Sequence, residues 1–217
     1  MAKKDLKRGM FITFEGAEGS GKSTQIKMLD EYLRKSGFKV LVLREPGSTR
    51  LSEALRNALL DKKNDSLSEK TELLLYLAAR AQLVKERIVP ALKERKIILC
   101  DRFQDSTLVY QGYGLGLDKK MIALLGKFVT DGITPGVTFL LDISALEGLK
   151  RAGGAQDRIQ GRSLEYHRRV RNGYLKLAHA NPKRIKLIRA KDIDKTQDEI
   201  RKFTREFLSR QIIHSQF

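Results

Sequence analysis

Residues 11–24 read FITFEGAEGSGKST. Phe11, Ile12, Thr13 and Phe14 form a short β-prone run, and beyond the glycines Ile26, Met28, Leu29, Tyr32 and Leu33 recur at helical spacing. Between them Gly16–Ser23 spell G-x-x-x-x-G-K-S, in the strand–loop–helix context that a P-loop requires. Gly16, Gly19 and Gly21 leave the backbone free to wrap its N–H groups around phosphate oxygens, in a loop completed by Ala17, Glu18 and Ser20. The helix that follows, with Thr24 in its first turn, adds its dipole to the same end. Lys22 would reach the β- and γ-phosphates, and the Ser23 hydroxyl would ligate Mg²⁺. The motif predicts a nucleoside triphosphate site and leaves open which reaction follows. Glu18 is discordant, because a carboxylate inside the cradle would repel phosphate. Its side chain is expected to point outward.

Composition narrows the chemistry. A chain of 217 residues is long enough for one α/β domain with a full core. The longest uninterrupted apolar run, Leu73 to Ala79, falls far short of the roughly 20 residues of a membrane span. The start MAKKDLKRGM has no apolar stretch behind it and does not read as a secretory signal. The single cysteine, Cys100, excludes an internal disulfide, fits a reducing cytoplasm and is expected in a buried strand. Forty-three Lys and Arg against 26 Asp and Glu give a formal charge of +17. These cations are spread along the chain without interleaved aromatics, which favours anionic small-molecule substrates over nucleic acid as the partner.

Strand-like runs at 10–15, 39–43, 96–100, 137–141 and 185–189 alternate with helical patterns at about 22–36, 51–60, 69–93, 118–130, 144–152, 163–179 and 195–209. Pro90 is expected to kink the third helix. The order predicts a single α/β domain over 1–217, a five-stranded parallel sheet with helices on both faces. The glycine-rich, charged stretch RAGGAQDRIQGRS, residues 151–163, reads as an insert between helices, and 210–217 as a loose tail. In such a sheet the loops beyond the strands' carboxyl ends converge on a ligand crevice. They would carry Arg44 or Arg56 from LVLREPGSTRLSEALR, and Asp101, Arg102, Tyr110 and Gln111 from CDRFQDSTLVYQGYG, toward the P-loop. Tyr76 and Arg80, one helical turn apart in LLLYLAARAQ, share one face.

With REPGST, DRFQDSTLVYQGYG and DRIQGRSLEYHRRVRNGYLKLA in this order, the chain resembles the bacterial thymidylate kinases over residues 10–205. The resemblance implies a P-loop nucleoside monophosphate kinase fold with a short lid. It also implies transfer of the ATP γ-phosphoryl group to dTMP, giving dTDP and ADP on the way to dTTP, dependence on Mg²⁺, and a homodimer. An acceptor phosphate is already ionised at pH 7, so catalysis should rest on positioning and charge neutralisation rather than a general base. The three histidines form no triad-like pattern, in keeping with that. Arg102 and Arg56 would hold the acceptor phosphate, and Asp101 would act on Mg²⁺ through water. By resemblance Arg80 reads thymine O4, Gln111 reads N3, Tyr76 stacks on the base, Thr107 lies near the base edge, and Tyr110 crowds the sugar 2′ position. Tyr76 stands where relatives mostly carry Phe. Glu18 would approach the 3′-hydroxyl.

In some members a basic residue follows that acid in the P-loop and supplies a catalytic cation. Here the position is Gly19, so the cation is expected from the lid, which carries Arg151, Arg158 and Arg162. Arg158, in DRIQ, best matches the lid arginine that closes over ATP, Arg151 is assigned to the ATP side, and Arg162 is expected to face solvent. Gln160 and Gly161 depart from the acidic residue common in relatives. A kinase for another monophosphate or for a deoxynucleoside stays open. A regulatory GTPase is disfavoured because no N-K-x-D motif occurs.

Overall fold

A computed structural model describes residues 6–153, 157–189, 192–209 and 211–212. Five parallel strands form one sheet: β1 (Met10–Glu15), β2 (Val40–Arg44), β3 (Ile97–Asp101), β4 (Val137–Asp142) and β5 (Ile185–Arg189), in the order β2-β3-β1-β4-β5. The chain reverses its travel across the sheet at β1. The crevice therefore opens beyond the carboxyl ends of β1 and its neighbours.

Alternation along the strands separates two faces. Met10, Ile12, Phe14, Val137, Phe139 and Leu141 pack with Ile26, Leu29 and Leu33 of α1 (Lys22–Lys35) and with Ile200 and Leu208 of α9 (Ile193–Ser209). Phe14 and Phe139 are fully buried with ring centroids 5.3 Å apart, and cutting either to Ala would cost about 3–5 kcal/mol. On the other face Phe11, Leu43, Ile98 and Cys100 meet Leu83, the last residue of α3 (Glu69–Leu83), and Ala91 of α4 (Val89–Lys93). Leu140 and Ile185 meet α8 (Leu164–Ala180) through Val170, Tyr174 and Ala178. Helix starts follow side-chain caps. Thr49 caps α2 (Arg50–Leu60), Ser68 caps α3, Asp118 caps α6 (Lys119–Val129), Ser144 caps α7 (Ala145–Arg151), and Ser163 caps α8, each worth about 1 kcal/mol.

The helix predicted over 69–93 is interrupted in the turn just before Pro90, in keeping with the expectation for that residue, while two other expectations need correction. Val84–Ile88 widen into a π-helical turn in which the Val89 N–H donates to the Val84 carbonyl five residues back. The proline ring crowds the carbonyl four residues before it and offers no N–H, so the turn ahead loosens. The stretch after β3, read as a loop, is helical: α5 (Gln104–Thr107) runs into a π-helical segment, Leu108–Gly114. The tail is not wholly loose. Leu6 bridges Ile212 and the Lys7 N–H donates to the Gln211 carbonyl at 2.8 Å, while residues 210 and 213–217 lie outside the described residues.

Candidate functional site

The P-loop joins β1 to α1, and Gly21, at φ 89°, caps the helix. Lys22 is buried and arches back over the loop, donating to the carbonyls of Gly16 (3.1 Å) and Ala17 (2.9 Å) and to Ser20 Oγ (3.4 Å). Burial, helped by the neighbouring Arg102, lowers its ammonium pKa. A pocket opens over Glu18–Thr24 and is also lined by Arg44, Glu45, Arg56, Asp101, Arg102 and Arg151. Gly16 and Ala17, expected at the nucleotide, do not line this pocket; their carbonyls accept from Lys22.

Gly19 has a steric reason to be glycine. At φ 68°, a Cβ there would lie 2.2 Å from the Gly148 carbonyl oxygen and 3.0 Å from the Cβ of Arg151. Helix α7 therefore presses on the loop, and no longer side chain fits at 19. Arg151, at the end of α7, stands at the pocket rim and pairs with Glu147 at 2.5 Å.

Asp101 ends β3 beside the loop. Its Oδ2 accepts from Ser23 Oγ at 3.5 Å, and its buried Oδ1 has no partner among the described residues. The described residues hold no cluster of three or more His, Cys, Asp or Glu that could bind a metal unaided. A hydroxyl and an unspent carboxylate oxygen at a phosphate cradle still fit a hard cation whose other ligands are phosphate and water.

A second pocket adjoins the first and shares Glu18, Glu45, Arg56 and Arg102 with it. Glu18, Arg56, Tyr76, Arg80, Arg102, Thr107, Tyr110 and Gln111, all eight acceptor-side residues expected from the sequence, line it. Glu18 does point away from the cradle: its Oε1 accepts from Arg102 Nη2 at 2.6 Å. Arg102, backed by burial-opposed attraction to Lys22, holds the Glu18 carboxyl down to about 2.

Arg102 sits at φ 71°, a conformation rare for a residue with a side chain, and its N–H donates to the Phe14 carbonyl at 2.9 Å. Its Nη1 donates to Ser106 Oγ (3.3 Å) and Tyr174 Oη (3.2 Å), and its guanidinium lies 5.0 Å from the Tyr110 ring centroid. Both hydroxyls donate in turn to Glu15 Oε2, at 2.6 and 2.8 Å, while Glu15 Oε1 accepts from the Phe103 N–H at 2.8 Å. Burial and then the charge of Asp105 push the Glu15 carboxyl up to about 7. The sequence reading missed Glu15, Ser106 and Tyr174. Glu15 could have been noticed as the charged residue in an otherwise apolar strand, whereas nothing in the spacing marks Tyr174.

Arg80 is fully buried, with hydrogen bonds from both terminal nitrogens and a charge contact at Nε. Nε lies 2.5 Å from Glu45 Oε1 as a charge pair without hydrogen-bond alignment. Nη2 donates to Thr107 Oγ1 (2.7 Å) and the Phe103 carbonyl (3.3 Å), and Nη1 to Gln104 Oε1. Arg56 Nη1 donates to the Pro46 carbonyl at 3.0 Å, and burial lowers its pKa. Burial raises the Tyr76 and Tyr110 hydroxyls above the usual range, so both remain neutral.

The lid arginines diverge. Arg158 is not at the P-loop: its Nη2 donates to Glu72 Oε2 at 2.6 Å and its Nε to the Leu59 carbonyl at 2.9 Å. Arg162, expected in solvent, is instead largely covered, pairing with Glu72 at 2.6 Å and donating to Tyr166 Oη at 2.8 Å. The expectation failed because Glu72, buried on α3, had not been recognised as their partner. Residues 154–156 of the insert lie outside the described residues.

A family model described as Thymidylate kinase matches residues 14–200. A Thymidylate kinase of Thermoanaerobacter sp. (strain X514) is 50% identical over 182 residues, covering 83% of this chain and 89% of its own. That of Clostridium novyi (strain NT) is 42% identical over 203 residues, covering 91% and 99%. A crystal structure of thymidylate kinase from Ehrlichia chaffeensis superposes with a TM-score of 0.77 at 37% identity, covering 90% of this chain and 98% of that one.

Proposed function

Since the chain belongs to the thymidylate kinase family, and so transfers the γ-phosphoryl group of ATP to dTMP to give dTDP and ADP, we propose that its two adjoining pockets divide this work. The P-loop pocket takes ATP and the second pocket takes dTMP. The single observation that carries this assignment is the Glu18–Arg102 pair, which stands in the wall common to both. The acceptor phosphate, held by Arg102 and Arg56, would meet the γ-phosphoryl group at that wall. Lys22 neutralises charge as the group moves, and the network of Glu15, Ser106 and Tyr174 keeps Arg102 aimed. No side chain has to remove a proton.

Ser23 and, through water, Asp101 would hold Mg²⁺. Held there, it would supply charge neutralisation to the phosphate groups. At the other end Arg80 donates to thymine O4, Gln111 accepts from N3–H, Tyr76 offers its ring and Thr107 fixes Arg80 near the base edge. A cytosine would set its N4 donors against Arg80, which is costly. Tyr110 occupies the sugar side, and Glu18 is free on one oxygen to meet the 3′-hydroxyl. Arg151 stands ready as a lid cation, and Arg158 joins it on release from Glu72. A cytoplasmic homodimer completes the reading; among the described residues no helix is long and apolar enough to cross a membrane.

Turnover with ATP against a panel of monophosphates tests the assignment. dTMP should be the preferred acceptor. Lys22→Ala should abolish measurable transfer in a folded protein. Arg80→Ala should raise the KM for dTMP by tenfold or more while leaving that for ATP nearly unchanged, on the scale of a lost charged hydrogen bond. Near-normal turnover in Lys22→Ala, or equal weakening of both substrates in Arg80→Ala, would sink it.

A further inference from the structure

Glu72 lies on α3 one turn before Tyr76 and two before Arg80, at i, i+4 and i+8 on the face that lines the second pocket. It is completely buried. Four donor contacts converge on its two oxygens. Oε1 accepts from Gln111 Nε2 at 2.9 Å and Arg162 Nη1 at 3.3 Å. Oε2 accepts from Arg158 Nη2 and Arg162 Nη2, each at 2.6 Å. A carboxylate offers about four acceptor sites, so this one is saturated.

We infer that Glu72 is a positioning residue for base specificity: it fixes which end of the Gln111 amide faces the nucleobase. The inference rests on the reading of Gln111 as the N3 contact. A primary amide presents two donors at one end and an acceptor at the other, and the two ends have nearly the same shape. Left alone in a pocket, Gln111 could rotate to suit either a pyrimidine with N3–H or one with a bare N3. Glu72 removes that freedom, because a carboxylate accepts and does not donate. With the NH₂ end committed to Oε1, the carbonyl oxygen is the end left for the ligand. That oxygen accepts from the N3–H of thymine and repels the N3 lone pair of cytosine. Rotating the amide would set its carbonyl oxygen against a buried carboxylate, two acceptors facing each other with no proton between them. Arg158 and Arg162 hold the carboxylate still from the other side, so the reading of the base is set by a chain of contacts that begins in the lid.

Glu72→Gln tests this. The new amide can either accept or donate, so Gln111 regains its second orientation. Affinities for dTMP and dCMP, measured by calorimetry without ATP, should converge. The dTMP-to-dCMP ratio is expected to fall by about tenfold or more, with dCMP binding improved in absolute terms. Arg168→Gln, exposed on α8 and without a contact to Glu72, should keep the parent ratio. A loss of both affinities in equal proportion in Glu72→Gln means a merely structural role and overturns the inference. Gln111→Ala separates the premise from the proposal: if it leaves the ratio unchanged, Gln111 does not read N3. If it collapses the ratio while Glu72→Gln does not, Glu72 alone is misassigned. Should Glu72→Gln fail to fold, the parent protein decides by NMR. The Gln111 side-chain NH₂ signal, identified by its loss in Gln111→Ala, should keep its shift when dTMP binds if its carboxylate contact persists, and move if the amide turns.

Discussion

At the scale of single residues, Glu15 is a buried acid behind Arg102, the cation proposed to hold the acceptor phosphate. It holds the Ser106 and Tyr174 hydroxyls that steady Arg102, but burial and the nearby Asp105, itself paired with Arg184, favour its protonated form. Its carboxyl is pushed up to about 7 from an ordinary value near 4.5. A raised carboxyl pKa stabilises the fold on the acid side. The contribution is fully present below about pH 4.5 and is lost as pH rises through about 7. Glu15→Gln cannot titrate, so its Tm should decline less than the parent's between pH 5 and 8. The difference should be a few degrees, from a linkage on the order of 1–3 kcal/mol. Parallel Tm profiles for the two proteins would show that Glu15 does not titrate in that window.

At the scale of elements, α7 and the insert after it determine where the lid cations stand. Helix α7 presses Gly148 against Gly19, so the P-loop has no room for a cation of its own and Arg151 occupies the rim. Arg158 must leave Glu72 to act there. Arg151→Ala and Arg158→Ala should therefore each lower kcat, the one acting on phosphate by about 10²-fold. Arg168, exposed on α8 with only a 3.9 Å contact to Glu165, is the control and should leave turnover unchanged when replaced by Ala. Single-turnover rates separate chemistry from product release. Parent-like chemistry in both lid variants would remove the lid from catalysis. Strand positions, the P-loop and the acceptor face of α3 were legible in the sequence, because each follows a local period or motif. The helical segment after β3 was not. Gly112 and Gly114 are close-packing positions within it: a Cβ at 114 would lie 2.6 Å from the Tyr166 ring. The seats of Arg158 and Arg162 were equally hidden, since they depend on a carboxylate 86 and 90 residues away in sequence.

At the scale of the whole molecule, α3 and α6 pack together through Leu73, Leu77 and Ile122 and still leave apolar side chains outward. Leu74, Met121, Leu124 and Phe128 are each at least half exposed, Phe128 to 79%. Such a face suits the homodimer proposed above. Two copies at a formal +17 each repel, so salt should strengthen the association by screening. Light scattering should give twice the chain mass for the parent. Leu124→Glu with Phe128→Glu should halve it. A monomeric parent at micromolar concentration would end the proposal.

Arg102 has one more consequence. Its left-handed backbone is a conformation that glycine adopts freely and that costs an ordinary L-residue about 1–2 kcal/mol. Mutational drift judged by backbone comfort alone would carry position 102 toward glycine. If Arg102 has the phosphate-holding role proposed above, a lineage that keeps the arginine does so for that role, and one relieved of it would be expected to lose the guanidinium there early.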